Sequence, residues 1–497
     1  MRKFVSTFIG LSLVAASTLV LLTEDLRAQG FGQPLTIQGL DHFTLPSAAS
    51  RGEGGIIVGL QNDVSTMFVD PTSLQSLQSL QVSLGDHELM SSANQTQQYG
   101  PLKYYSNFSL LMEGLTGYIS NPQYDTSTTY NAGDTVQRPY DNIPPNWAHS
   151  KTKVPSVQGY AGLPFSFGGM KFAVGIGSIE YADLNWYFQN NNVLSPSILS
   201  VKNSTITLPP NNSDSLSIPV QWYQSTQSRV GSIYGYGLAL SSALSEKIFV
   251  GVSGMILSGS SDDFESRVDR GKLMFYNSYF RLDSIYNNVT SIGTSDYTGQ
   301  EFTVSARYQS DHVQIGVSIK APTTITRKYH AVITADTAGF SSIADVSGQD
   351  KTTIPFRGSL GLSIALRENL IFGVGYDVRP YSSATFTNSA GSKTNPWLSA
   401  NLFHVGMEFL PVSWLALRAG AREDAEVYEP VGNPIEGDPV SYSVYSFGIG
   451  VKYADVSFNA AFEYSDMKYT DTWADAVSIN RNIQRNVIAD VSYAVPW

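Results

Sequence analysis

Alternation with a period of two runs through the second half of this chain and constrains its fold more than any other feature. From Val487 to Trp497 the odd positions read Val487, Ala489, Val491, Tyr493, Val495 and Trp497, and the flanking even positions include Asn486, Asp490 and Ser492. Val456, Phe458, Ala460, Phe462 and Tyr464 alternate with Ser457, Asn459, Ala461, Glu463 and Ser465, and Tyr445 to Tyr453 repeats the pattern. So do the runs Leu360–Leu366, Leu370–Val378, Phe403–Phe409 and Val313–Ile319. Successive side chains on a strand point to opposite faces, so each run has one apolar face and one polar or small face. In these runs every charge falls on the polar parity. A soluble sandwich would alternate in the same way, with its apolar face against a second sheet.

Connection lengths separate the two architectures. Strands are predicted near 78–90, 154–166, 169–188, 231–244, 247–268, 298–310, 312–332, 353–367, 369–386, 398–411, 413–428, 440–453, 455–470 and 484–497. Tight turns fall at Gly168-Gly169, Ser245-Glu246, Asp311, Glu368, Pro411-Val412 and Ala454-Asp455. Long polar stretches fall at 91–153, 189–230, 269–297, 333–352, 387–397, 429–439 and 471–483. Short and long connections therefore alternate, as in an outer-membrane barrel with short periplasmic turns and longer external loops. Closure gives every backbone group a partner, which an open sheet in lipid lacks. The expected fold is all-β: a transmembrane antiparallel β-barrel of about fourteen strands over residues 77–497, ending on the apolar parity at Trp497. Tyr104 to Leu110 could add a strand, and Phe275 to Tyr286 could extend a hairpin above the membrane, so the count carries a margin of two.

The N-terminus sets the compartment. Arg2 and Lys3 precede an uncharged, mostly apolar run from Phe4 to Leu22, and Leu26-Arg27-Ala28 offers a small residue for cleavage. Residues 1–28 are expected to be a secretory signal, with export to the outer membrane of a Gram-negative cell. No later segment has 18 consecutive apolar residues, so no transmembrane helix is expected after it. Loss of three cations and two carboxylates with the signal takes the net charge from −11 to −12, which argues against a nucleic-acid partner. The absence of cysteine excludes a lipid-modified cysteine, a disulfide framework and a thiolate metal site. Abundant Tyr (28) and Phe (24) with only 15% charged residues suit a barrel with aromatic girdles.

Catalysis finds no constellation. The six histidines are His42, His87, His149, His312, His330 and His404, and none stands in a His-x-Ser arrangement on a strand face. His404 and Glu408 share a face but lie too far apart to pair without a third group. No spacing suggests metal ligation. Asp262, Asp263, Glu265 and Asp269 could attract calcium, although a solvated strand end is the better expectation. Gly52, Gly54 and Gly55 lack the Lys-Ser/Thr pair and strand–loop–helix context of a phosphate loop, so turns are expected there and no cofactor is implied.

One segment carries a resemblance. A Gly-rich stretch, Gly52-Glu53-Gly54-Gly55, leads into Asn62-Asp63-Val64-Ser65, then Phe68, then Asp70-Pro71-Thr72-Ser73-Leu74. This resembles the N-terminal signature of the FadL superfamily of outer-membrane transport proteins, which runs through a "DDAS" element and an aromatic residue to Asn-Pro-Ala-Gly-Leu. Here Asp70, Thr72 and Ser73 depart from that pattern. Ser318-Ile319-Lys320-Ala321-Pro322 and Ser413 to Ala421 are similar to later hairpins of the family. The resemblance implies fourteen strands, an N-terminal plug (here residues 29–76, with Asn62, Asp63, Phe68, Asp70 and Pro71 in its motif), and passive transport. The cargo would be long-chain fatty acids or other hydrophobic small molecules, released sideways through the wall into outer-membrane lipid. A related branch, similar to the PorV barrels of type IX secretion, would instead bind or shuttle secreted proteins. The polar parity also carries Arg307, Lys320, Asp377, Arg379, His404, Glu408, Arg418, Arg422, Lys452, Glu463 and Asp490. An internal ion-pair network is the plainest reading of this set. A carboxylate ligand would nevertheless need a lumen cation, and Arg379, Arg418 and Arg422 are the candidates.

Overall fold

The computed structural model describes residues 35–496 apart from 45–46, 58–62, 100–142, 145, 154–155, 196–217, 276–279, 284–286, 338, 428–438 and 474–475. Residues 1–28, expected as an export signal, together with Asn62, the run Tyr104–Leu110 and Trp497, lie outside the described residues. Fourteen antiparallel wall strands follow one another in chain order. They are β1 (Gln81–Tyr99), β2 (Trp147–Thr152 and Gln158–Phe167), β3 (Met170–Asp183 and Trp186–Ser195), β4 (Ile218–Ala243) and β5 (Ile248–Phe275). Next come β6 (Asn287–Gln309), β7 (Val313–Lys320 and Thr323–Thr337), β8 (Phe340–Ile354 and Arg357–Arg367) and β9 (Leu370–Val378 and Thr385–Thr387). The last five are β10 (Leu402–Val412), β11 (Leu415–Glu426), β12 (Val440–Tyr453), β13 (Val456–Trp473) and β14 (Ala476–Ala494). Each pairs with the next, and β14 returns to β1 from Ala494↔Gln81 to Ala476↔Tyr99. The sheet is closed.

Exposure decides between sandwich and transmembrane barrel. Leu238, Ile256, Val304, Ile315, Leu360, Phe447 and Val491 point outward and are exposed, whereas the intervening Ser241, Ser253, Arg307, Ser318, Ser446, Glu463 and Asp490 are buried. A water-soluble sheet would reverse that arrangement. The greasy parity meets lipid and the polar parity meets the lumen, as a membrane-spanning barrel requires. Among the described residues no helix is long and apolar enough to cross a membrane.

The strands exceed their predicted lengths at the outer end. Of residues 333–352, expected as a loop, 333–337 end β7 and 340–352 belong to β8, paired in the hairpin that runs from Thr323↔Ile354 to Thr337↔Phe340. Above the hydrocarbon both faces meet water, so the alternation that marks a membrane strand vanishes while backbone pairing continues. The expected hairpin extension beyond Phe275 is present as Phe280–Asp283, paired back onto β5. One turn shifts: β10 continues to Val412, and Ser413-Trp414 makes the reversal.

Among the wall's several irregularities, two stand out. Register on both sides, Lys320↔Arg357 and Thr323↔Ile354, sets Pro322 opposite Pro355. Neither offers an N–H, so the ladder lapses there. The second break is larger. Trp147–Thr152 of β2 pairs only with β1, and Trp186–Ser195 of β3 pairs only with β4. The β2–β3 ladder stops at Gly159↔Ser178. Above it, among the described residues, no backbone bonds join the two strands.

The N-terminal segment packs against the inward faces of the wall. It contains a one-turn helix, α1 (Ala48–Gly52), capped by Ser47, and two 3-10 turns, Val64–Phe68 and Pro71–Ser76, capped by the Asp63 and Asp70 carboxylates. Val64, Met67, Phe68 and Leu74 are fully buried and share one cluster with Tyr160, Ala173, Ile179, Ile233, Ala239 and Met255 of the wall. Each such side chain stabilises the docked segment by about 1.5–3 kcal/mol. The wall leaves room for it with glycine. A Cβ at Gly406 would lie 2.1 Å from the Glu53 carbonyl, and one at Gly420 would lie 2.3 Å from the Gly54 nitrogen. Gly54 and Gly55 themselves turn with φ of 73° and 84°, the turns expected from the sequence.

Candidate functional site

A cavity of about 250 Å³ lies above α1 and against the unbonded part of β2–β3. Alternate residues of β2 (Trp147, His149, Lys151) face it, as do Trp186, Tyr187 and Phe188 of β3. In place of backbone hydrogen bonds, rings pack across the seam. His149 stacks on Tyr187 with centroids 3.6 Å apart, and Trp147 meets the same ring edge-on at 5.8 Å. Such contacts contribute about 0.5–1.5 kcal/mol each beyond their area and need no fixed register.

The base of the seam is polar and buried. Glu180, beside a bulge in β3, is wholly enclosed. It accepts from Lys153, from Ser156 Oγ at 2.9 Å and from Ser232 Oγ at 2.6 Å, and His87 Nε2 lies 3.2 Å away. Lys153 also approaches Asp183 at 3.4 Å. Across the cavity Glu463 bridges Arg51 of α1 and Arg422 of β11. Lys151 differs from these cations: among the described residues it has no carboxylate within ion-pair reach.

The cavity floor is made by Asp41, His42, Phe43 and Thr44. Backbone bonds hold this stretch to β3: Asp183 N donates to the His42 carbonyl (2.9 Å), Thr44 N donates to the Tyr181 carbonyl (3.2 Å), and Phe43 bridges Ala182. The His42 ring opens onto the cavity, with Nε2 3.7 Å from Glu426 Oε2 of β11. Burial would suppress its protonation, but Asp41, Glu426 and Asp183 outweigh that and raise its pKa to about 10. Burial pushes the Asp41 carboxyl up to about 6, against the pull of His42. Deeper in the segment, burial and the neighbouring Glu408 push Glu53 up to about 8, despite Arg418 at 3.4 Å.

No family model matches the sequence, and no curated protein matches it either. Solved structures do. A FadL homologue of Pseudomonas aeruginosa superposes with a TM-score of 0.56 at 13% identity, over 91% of this chain and 99% of that one. The CymD monoaromatic hydrocarbon channel gives 0.53 at 12%, over 92% and 99%, and the toluene transporter TodX of P. putida gives 0.53 at 11%, over 91% and 100%. Strand number, closure and order agree over nearly the whole chain. The protein has the FadL-type fold.

Within this FadL-type barrel the residues singled out from sequence fall into two groups. Asp63, Phe68, Asp70 and Pro71 lie below the cavity, where they shape the segment. Asp63 accepts from Ser65 N at 3.0 Å, Asp70 accepts from Thr72 N at 3.0 Å and pairs with Arg307, and the Phe68 carbonyl accepts from Thr303. Of the three lumen arginines, Arg379 and Arg422 line the cavity and Arg418 does not. Each faces a carboxylate: Arg379 with Asp377 at 3.2 Å, Arg422 with Glu463, and Arg418 with Glu408 at 2.7 Å. His404 and Glu408 take separate partners, Asp377 at 3.3 Å and Arg418. The acidic group in β5 divides by parity rather than forming a solvated end. Asp262 is exposed, while Asp263 is buried under Arg229 at 2.6 Å and Glu265 under Gln227 at 2.9 Å. Sequence reading missed Trp147, His149, Lys151 and Tyr187 as a set, and it held Asp41 and Glu426 in no group.

Proposed function

We propose that the protein is an outer-membrane passive transporter for hydrophobic small molecules, with the N-terminal segment as its plug and the β2–β3 seam as its lateral exit. The observation that carries this reading is the cavity of about 250 Å³ set against a stretch of wall held by rings instead of a ladder. Apolar cargo can part stacked rings without breaking further backbone bonds, whereas parting a β-ladder would strand a row of amides. An interrupted wall strand is what sideways release would need. The cavity is mixed in character, with aromatic walls and charged residues across from them.

That mixture suits an amphipathic cargo. A long-chain fatty acid would lay its chain along Trp147, Trp186, Tyr187 and Phe188 and set its carboxylate on Lys151, since the lumen arginines are already paired. The similar structures include a toluene transporter and a monoaromatic hydrocarbon channel, which supports the aromatic lining as a path for neutral compounds. The roles assigned are passage and positioning, with no chemical step.

Uptake of labelled palmitate and of toluene into proteoliposomes tests this. Because the chain has no cysteine, a cysteine pair placed by His149→Cys and Tyr187→Cys can be bridged by a short thiol cross-linker without side reactions. Cross-linking is expected to stop uptake of both compounds and a reducible linker to restore it. Lys151→Gln is expected to lower palmitate uptake about tenfold, one charge-assisted contact, and to leave toluene unchanged. Full uptake through the cross-linked seam would refute the lateral exit.

A further inference from the structure

Asp41 and His42 belong to the N-terminal segment and Glu426 ends β11 on the opposite side of the lumen, yet their ligand atoms all lie within 4.8 Å of one another. His42 Nε2 and Glu426 Oε2 are 3.7 Å apart. The two carboxylates are also incompletely used. Asp41 is more than nine-tenths buried and its Oδ1 has no hydrogen-bond partner among the described residues, and Glu426 Oε1 is likewise enclosed and unpartnered. A buried carboxylate oxygen without a partner is costly and uncommon, and here the two carboxylates that carry such oxygens flank one imidazole, whose proton a bound divalent cation would displace.

The surroundings point the same way. Asp183 and Asp424 line the same cavity, and of the cations there Lys153 is already shared between Glu180 and Asp183, Arg379 pairs with Asp377 and Arg422 with Glu463. Three groups, one imidazole and two carboxylates, fit the donor set of Zn²⁺ with an open fourth position toward the cavity. Ca²⁺ and Mg²⁺ prefer all-oxygen shells, so the histidine selects against them. Backbone bonds fix the histidine's position from outside the site, through the His42 carbonyl to Asp183 N and the Phe43 bridge to Ala182.

We infer that Asp41, His42 and Glu426 form a binding site for a borderline divalent transition cation such as Zn²⁺, which ties the N-terminal segment to β11 across the lumen. The inference rests on geometry and is independent of what the barrel transports. Full-length protein in detergent, stripped with chelator and dialysed against Zn²⁺ alone, is expected to hold one Zn²⁺ per chain. His42→Ala and Glu426→Gln are each expected to weaken binding more than about 100-fold, since loss of a ligand exceeds the 10–100-fold cost of losing its outer supports. His330→Ala, at the exposed pair with Asp345, is expected to bind as the parent does. Ca²⁺ is expected not to compete. Should either variant fail to fold, Co²⁺ bound to the unaltered chain gives a second readout, a strong visible absorption from a low-coordinate site with a nitrogen ligand. No stoichiometric Zn²⁺, equal binding by folded His42→Ala and Glu426→Gln, or a six-coordinate Co²⁺ spectrum overturns the site.

Discussion

Single residues in this lumen do their work as partners of backbone. Arg229 is fully buried, forks onto Asp263 at 2.6 and 3.1 Å, and donates to the Gln38 carbonyl at 2.7 Å. Arg327 does the same for the Leu35 carbonyl while pairing with Asp350. Removing one member of a buried pair leaves an uncompensated charge, so Arg229→Ala is expected to lose about 3–5 kcal/mol in urea unfolding and to expose residues near Gln38 to protease. Glu53 supplies a pH test. Its carboxyl sits above its unfolded value of about 4.5, at about 8, so the folded chain binds the extra proton between those pH values. The stability it contributes is full below pH 4.5 and is lost as pH rises toward 8. Glu53→Gln should therefore melt with the parent near pH 5 and above it near pH 8.5; equal melting at both would show that Glu53 titrates normally.

At the level of strands, the wall was legible wherever lipid touches it. Leu370 to Val378 and Val456 to Tyr464 alternate because one face meets hydrocarbon, and both strands begin within a residue of the expected start, although the first breaks at Val378 instead of 386 and the second runs on to Trp473 instead of 470. Thr323–Thr337 and Phe340–Ile354 could not be read so well, because strand pairing above the membrane leaves no apolar signature. Trp147–Thr152 is six residues long and lay inside an expected loop, so the seam was invisible although each of its rings was in plain sight. The cation site was hidden for another reason, since only the closed barrel brings position 426 to position 42. Hydrogen exchange can test the seam directly. Antiparallel strands send alternate N–H groups to each side, so roughly half the amides of Trp186–Ser195 should exchange fast while β13 and β14 stay protected. Uniform protection would place a ladder where none is described.

On the scale of the molecule, the chain is two interlocked parts: a glycine-lined wall and the segment that fits its hollows. Neither completes a core alone, because Met67, Phe68 and Leu74 find their apolar partners on the inward faces of β2 to β5. Deleting residues 35–76 is expected to leave a closed wall with a hydrated bore. In planar bilayers that variant should carry a steady ionic current where the full chain carries almost none.

The segment runs straight into β1 through Leu77, and β1 is the strand that meets β14 to close the circle. The closing rungs, Ala494 on Gln81 onward, therefore lie a few residues from the buried cluster of Leu74 and Leu77. Closure of the wall and seating of the segment share one junction, so a change that loosens Leu74 or Leu77 is expected to be felt where the two ends of the wall meet.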